Sequence, residues 1–149
     1  MKKIYLDTSS LYIYFKDSMK KFSSQDEIPI SIQKLKEKRA SKIKDAEYLT
    51  SCISKYEAFK NLKQEFNINW SQFEKMWNYL VKYLEIKYIR KDVVVKIIKS
   101  DLLEDYLNKY KLKSGLSDII QIIIAKEIKK AQLFTNDDAM KVDWKTISS

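Results

Sequence analysis

Histidine is absent from this 149-residue chain, and cysteine, glycine and proline occur once each. Without histidine there is no His-ligated metal centre and no Ser–His or Cys–His hydrolytic pair. The lone Cys52 excludes an internal disulfide framework. So little glycine and proline excludes collagen-like, linker-like and low-complexity chains, and argues against an all-β sandwich, whose many turns draw on both residues. Long apolar runs are also missing. The most apolar stretch, Ile119–Ala125, is far short of a bilayer span. The apolar run behind Met1 stops at Asp7, too early for a signal peptide. These absences predict a soluble, cytoplasmic protein with no membrane association, whose chemistry must fall to carboxylates, hydroxyls and lysines.

What is present suits a single domain over residues 1–149: 45% of residues are apolar and 33% charged. A chain of this length buries roughly 68–70% of its unfolded surface. The 29 Lys and Arg outnumber the 20 Asp and Glu, for a net charge of +9, and only Arg39 and Arg90 are arginine. Such an excess attracts polyanions, nucleic acid first. A lysine-rich proteome produces the same excess, so charge alone does not choose between the two.

Periodicity predicts short strands alternating with helices. Ile4-Tyr5-Leu6 reads as a buried strand closed by Asp-Thr-Ser-Ser, with a helix through Leu11–Phe15 behind it. Polar residues 17–29 read as a loop, Ile30–Ala46 as a lysine-rich helix, and Tyr48–Ile53 as a second strand. Ser54 opens a helix to about Phe66, and Asn69 or Ser71 opens another in which Trp70, Phe73, Trp77, Leu80 and Leu84 recur at helical spacing. Ile86–Ile89 is a third strand and Asp92–Tyr110 one helix; Ser117-Asp118 cap an apolar helix to Lys130. Gln132–Thr135 is a fourth strand, Asn136-Asp-Asp a cap, and Val142–Ile147 a last edge strand. Strands of about five residues joined by helices imply crossover connections and a parallel sheet covered on both faces.

In such sheets, sites form at the carboxyl ends of strands. Asp7 ends the first strand, Glu57 lies one turn into the helix after the second, Asp118 opens the helix after Gly115, and Asp137 follows the fourth strand. Singly, three of these are helix caps and Glu57 a solvated glutamate. A parallel sheet brings all four to one rim, where clustered carboxylates repel unless a cation neutralises them. An all-oxygen set favours Mg²⁺ or Mn²⁺. Such ions activate water and stabilise the leaving oxygen in phosphodiester hydrolysis. The basic balance of the chain suits a polyanionic substrate.

Four segments, Ile4-Tyr-Leu-Asp7-Thr-Ser-Ser-Leu11, Leu49-Thr-Ser-Cys-Ile-Ser54-Lys-Tyr-Glu57, Leu116-Ser-Asp118 and Leu133-Phe-Thr135-Asn-Asp137, resemble in order and spacing the signature segments of PIN-domain nucleases. The chain length is similar to that of the small stand-alone members, the VapC-like toxins. The resemblance implies one PIN-like α/β domain: a three-layer α/β/α fold with a central parallel sheet of four to five strands. It implies a Mg²⁺- or Mn²⁺-dependent ribonuclease, the toxin of a toxin–antitoxin pair, with Asp7, Glu57, Asp118 and Asp137 as catalytic and metal-holding acids. Asp138 could share or take the role of Asp137. Thr8, Ser9 and Thr135 match hydroxyl positions that order the metal's water shell. Implied partners are RNA, a second copy of the chain and an antitoxin clasped by the helix pair after Glu57. Two places depart from the family pattern: Ile119 and Ile120 follow the third acid in place of a small residue, and Met140 stands where an aromatic is common. Both are packing positions.

Lys34, Lys38, Arg39 and Lys42 belong to a run over Gln33–Lys44 with six basic residues and one acid. The run is either a solvated helix face or an RNA-binding surface. The tryptophan stripe is core, with an exposed part available to a partner, and Cys52 is a buried small hydrophobe. Two alternatives stay open. An RNase H-like nuclease shares the acid order but needs an antiparallel meander, and no hairpin signal occurs. A PIN-like module that only binds RNA or protein would have a broken acid set. A haloacid-dehalogenase-like site needs an acid two residues after Asp7, where Ser9 stands.

Overall fold

In the computed structural model, residues 2–21 and 46–148 are described. The element order is β1 (Lys2–Leu6), α1 (Thr8–Lys21), β2 (Ala46–Ser51), α2 (Cys52–Phe66), α3 (Trp70–Tyr83), β3 (Ile86–Ile89), α4 (Lys91–Lys99), α5 (Asp101–Lys109), α6 (Leu116–Ile123), β4 (Gln132–Phe134) and α7 (Asp138–Ser148). A π-helical stretch, Ile124–Ile128, prolongs α6.

The sheet has the order β3-β2-β1-β4, and each neighbouring pair is parallel. This is the expected α/β architecture, a four-stranded parallel sheet between helical layers. Among the described residues no strand pair is antiparallel, so the meander that an RNase H-like nuclease needs is not among them. The chain winds outward from β1 through β2 to β3, then returns to place β4 on the other side of β1. The reversal makes the carboxyl ends of β1 and β4 the topological switch point, where a crevice opens in sheets of this kind.

Alternation along the strands divides the core in two. Tyr5 and Leu49, paired in register, face a cluster with Val94, Ile97, Tyr106, Ile119, Ile122, Ile123, Met140 and Ile147. Ile4, Leu6 and Ile86 face the opposite cluster, built on Leu11, Phe15, Leu62, Phe73, Trp77 and Leu80. Strands buried on both faces lack polar alternation. The tryptophan stripe of α3 is mainly core: Phe73, Trp77, Leu80 and Leu84 are buried, and only Trp70 reaches the surface. Ile119, Ile120 and Met140 are buried, as packing positions should be.

The structure corrects four expectations. The helix after β1 runs through Lys21, so residues 17–21 are not loop. Cys52 and Ile53 belong to α2 rather than to the second strand, though Cys52 is buried as expected. The expected helix over Asp92–Tyr110 is two helices: Ser100 is extended (φ −88°, ψ 164°), and its hydroxyl accepts from the Leu102 N–H, with Asp101 and Glu104 in the new first turn. Ser-Asp is an N-terminal signal inside a continuous apolar period, and the signal prevails. Val142–Ile147 is helical, because Met140, Asp143 and Ile147 point inward at helical rather than alternating spacing. Asn69 caps α3 in a reciprocal box with Gln72. Among the described residues no helix is long and apolar enough to cross a membrane. The basic run carrying Lys34, Lys38, Arg39 and Lys42 lies outside the described residues.

Leu62, fully buried between α2 and the sheet, tests this packing. Leu62→Ala is expected to lower the unfolding free energy by about 2–5 kcal/mol in urea titrations. Leu107→Ala, on an exposed face of α5, should stay within about 0.5 kcal/mol of the parent.

Candidate active site

Asp7 is the first residue past β1 and is buried, so its charge needs internal donors. Ser9 Oγ donates to both carboxylate oxygens, at 2.9 and 2.8 Å. The Ser10 N–H reaches Oδ1 at 3.0 Å, which makes Asp7 the N-cap of α1. Thr135 Oγ1, arriving from the end of β4, donates to Oδ2. The backbone of the β4 turn is tied in through the same hydroxyls: Asn136 N–H donates to Ser9 Oγ at 2.9 Å and Asp137 N–H to Thr135 Oγ1 at 3.0 Å. Ser9 and Thr135 therefore hold Asp7 and close the switch point around it.

Glu57 is half-buried on the second turn of α2. Its Oε1 accepts from Thr8 Oγ1 at 2.9 Å and Gln121 Nε2 at 3.1 Å, and its Oε2 from Ser117 Oγ at 3.4 Å. Thr8 adjoins Asp7 and Ser117 adjoins Asp118, so Glu57 bridges the two acids through their neighbours. Gln121 is locked from beneath: its Oε1 accepts from Ser54 Oγ at 2.7 Å and Tyr5 OH at 3.3 Å, and Tyr5 OH shares a 2.7 Å hydrogen bond with Ser51 Oγ. Burial raises the Tyr5 phenol above its ordinary value, outweighing the hydrogen bonds with Ser51 and Ser54 that lower it, and keeps it a neutral donor.

Asp118 lies in the first turn of α6 and is half-buried. Its carboxyl is pushed up to about 6, by burial first and then by the negative charges of Glu57, Asp137, Asp7 and Asp143. Mutual repulsion of that kind is what convergence of the four predicted acids on one rim entails. Asp137 caps α7, accepting from the Met140 N–H at 2.9 Å. Asp138 stands apart: its side chain is 99% exposed and its carboxylate lies 3.9 Å from Lys141.

The structure adds groups that sequence reasoning missed. Asp143, fully buried on α7, accepts from the backbone N–H groups of Lys113 at 2.9 Å and Ser114 at 2.7 Å. It thereby fixes the loop that delivers Asp118. Reading 142–147 as a strand concealed it, whereas helical spacing from Met140 would have turned it inward. Gln121 carried a plainer signal, as the one polar residue within Ile119–Ile124.

Among the described residues, no group of three acid side chains stands ready to hold a single ion. The donor chemistry nevertheless fits Mg²⁺ or Mn²⁺. Mg²⁺ keeps several waters and is held by one or two carboxylates plus substrate phosphate, not by an all-protein cage. Asp7 and Glu57 are all-oxygen donors already oriented by hydroxyls and an amide, and the raised Asp118 marks excess negative charge that a cation relieves. In comparisons with known proteins, no family model matches this chain and no curated protein matches it.

The raised Asp118 pKa has a defined sign. The folded state holds this proton more tightly than the unfolded state, so the contribution stabilises the fold at low pH and is lost as pH climbs from about 4 through 6. Asp118→Asn should therefore gain stability relative to the parent, in the absence of metal, as pH rises through that window. For a half-exposed group the difference is on the order of 1 kcal/mol. Melting temperatures of both proteins between pH 4 and pH 8 measure it; a constant offset would mean that Asp118 ionises normally.

Proposed function

We propose that the chain is a Mg²⁺- or Mn²⁺-dependent endoribonuclease of the PIN-domain type. The observation that carries this reading is the buried Asp7 carboxylate, held by Ser9, Ser10 and Thr135 at the switch point of a parallel sheet, with Glu57 tied to its neighbour Thr8 and with Asp118 raised by burial first and then by the charges of Glu57, Asp137 and Asp7. The cation is assigned to Asp7 and Glu57, with Asp118 and Asp137 completing its charge balance. When bound, it supplies Lewis-acid activation of water and charge compensation at the phosphate.

The residues of the chain prepare that chemistry. Ser9, Ser10 and Thr135 fix both oxygens of Asp7, so its lone pairs point one way without a flexible side chain having to settle. Thr8 and Gln121 set the rotation of the Glu57 carboxylate. With its pKa raised to about 6, Asp118 keeps its proton to a higher pH than an ordinary carboxyl and releases it more readily when positive charge arrives. The basic balance of the chain draws the RNA backbone toward a site that is itself acidic. Assignment as the toxin of an antitoxin pair, with a homodimer or antitoxin as partner and the cytoplasm as its place, rests on the motif resemblance alone.

Two measurements test the proposal. Mixed RNA should be cut in Mn²⁺, left whole in EDTA, and cut about 10²–10³-fold more slowly by Asp7→Asn, which keeps the shape and removes the charge. Equal cleavage in all three would place the activity elsewhere, and its absence throughout would leave a binding module. Millimolar Mg²⁺ or Mn²⁺ should also raise the melting temperature at pH 7.5, through preferential binding to the folded state. An unchanged value would argue against a metal site.

A further inference from the structure

Beside the acids, on the β3 side of the rim, lies a group of exposed aromatic rings that the reading above does not use. Tyr56, one residue before Glu57 on α2, is 47% exposed. It stacks on Trp70, 37% exposed, with ring centroids 5.9 Å apart and planes 23° from parallel. Phe59 meets Trp70 edge-on at 5.0 Å, and Phe73 lies tilted against it at 5.6 Å, so the indole is fixed from below. Tyr88, one residue from the carboxyl end of β3, is 38% exposed and edge-on to the buried Trp77 at 6.1 Å.

A cation is set among these rings. Lys55 Nζ lies 5.3 Å from the Trp70 centroid and 6.0 Å from those of Trp77 and Tyr88, and pairs with Glu74 at 3.7 Å. The basic residues Arg90 and Lys91 continue from the end of β3. Arg90 pairs with Asp92 at 2.8 Å, and Lys55, lying over both rings, links Trp70 to Tyr88. Two strand spacings separate β1 from β3, about 10 Å along the rim. Rigid, exposed π faces with an ammonium among them and further cations alongside match unpaired bases on a phosphate backbone.

Resting on the ribonuclease reading, we propose that Tyr56, Trp70 and Tyr88, with Lys55, form a base-stacking platform for single-stranded RNA flanking the scissile phosphate. Stacking is tolerant of base identity, since every base has a π face. The platform therefore selects unpaired over paired RNA rather than a sequence.

The test is equilibrium binding in EDTA, where no cleavage intervenes. A short fluorescein-labelled single strand, its duplex and an abasic strand of equal length are followed by anisotropy and by quenching of tryptophan emission. Tyr56→Ala and Trp70→Ala should each weaken single-strand binding about 5- to 150-fold, the range for one stacked base. Trp70→Phe should retain most of the affinity, and the abasic strand and duplex should bind parent and variants alike. Tyr56 is an exposed helical ring, so its variant carries the test if Trp70→Ala does not fold. Unchanged affinity in the folded variants, an abasic strand bound as tightly as the normal one, or no binding by the parent would overturn the platform. Unchanged affinity together with loss of a homodimer in sedimentation would overturn it in favour of a protein interface. The two proposals fail separately. Base-dependent binding without metal-dependent cleavage defeats the nuclease alone, and Asp7-dependent cleavage with unaltered Trp70→Ala binding defeats the platform alone.

Discussion

The buried Asp7 carboxylate joins three elements at once: it ends β1, caps α1 through the Ser10 N–H, and receives the Thr135 hydroxyl from the end of β4. A charge taken out of water at this point is tolerable only because Ser9, the Ser10 N–H and Thr135 are turned toward it. The same donors define the switch point, since β1 and β4 are neighbours whose helical connections leave in different directions. The requirement to satisfy one buried charge therefore both closes the sheet and orients the candidate catalytic group.

Around that point the acids are separated by hydroxyls and amides instead of being placed in mutual contact. Thr8 and Gln121 stand between Glu57 and its neighbours, and Ser9 and Thr135 stand between Asp7 and the β4 turn. Asp118, half-buried in the first turn of α6, is raised by burial first and then by the charges of Glu57, Asp137, Asp7 and Asp143. Support comes from residues well outside the rim. Tyr5 and Ser54 hold Gln121 from within the core. Asp143 holds the backbone ahead of α6, so the position of Asp118 depends on a carboxylate 25 residues further along the chain.

Much of this was legible in the sequence because its determinants are local. Apolar runs of strand length, a helix start at Asn69 or Ser71 and the acids following strand ends all act within a few residues of themselves. The parallel sheet and the rim that carries Asp7, Glu57, Asp118 and Asp137 follow from that local grammar and the crossover rule. Lack of histidine leaves carboxylates, hydroxyls and lysines as the groups available for chemistry.

Only the tertiary structure decided which competing local signal won and which polar groups met. Ser100 interrupts an apolar period that is continuous in sequence, and the residues around Asp143 have an alternation that suits a strand until packing against α6 selects the helix. It separated Asp137, facing the acids, from Asp138, facing solvent, although the two are adjacent and chemically identical. It also brought Tyr56, Trp70 and Tyr88 together from three different elements. Long-range pairing has no sequence signature in a single chain, because its free energy arises from burial and hydrogen bonding that exist only once the layers are packed.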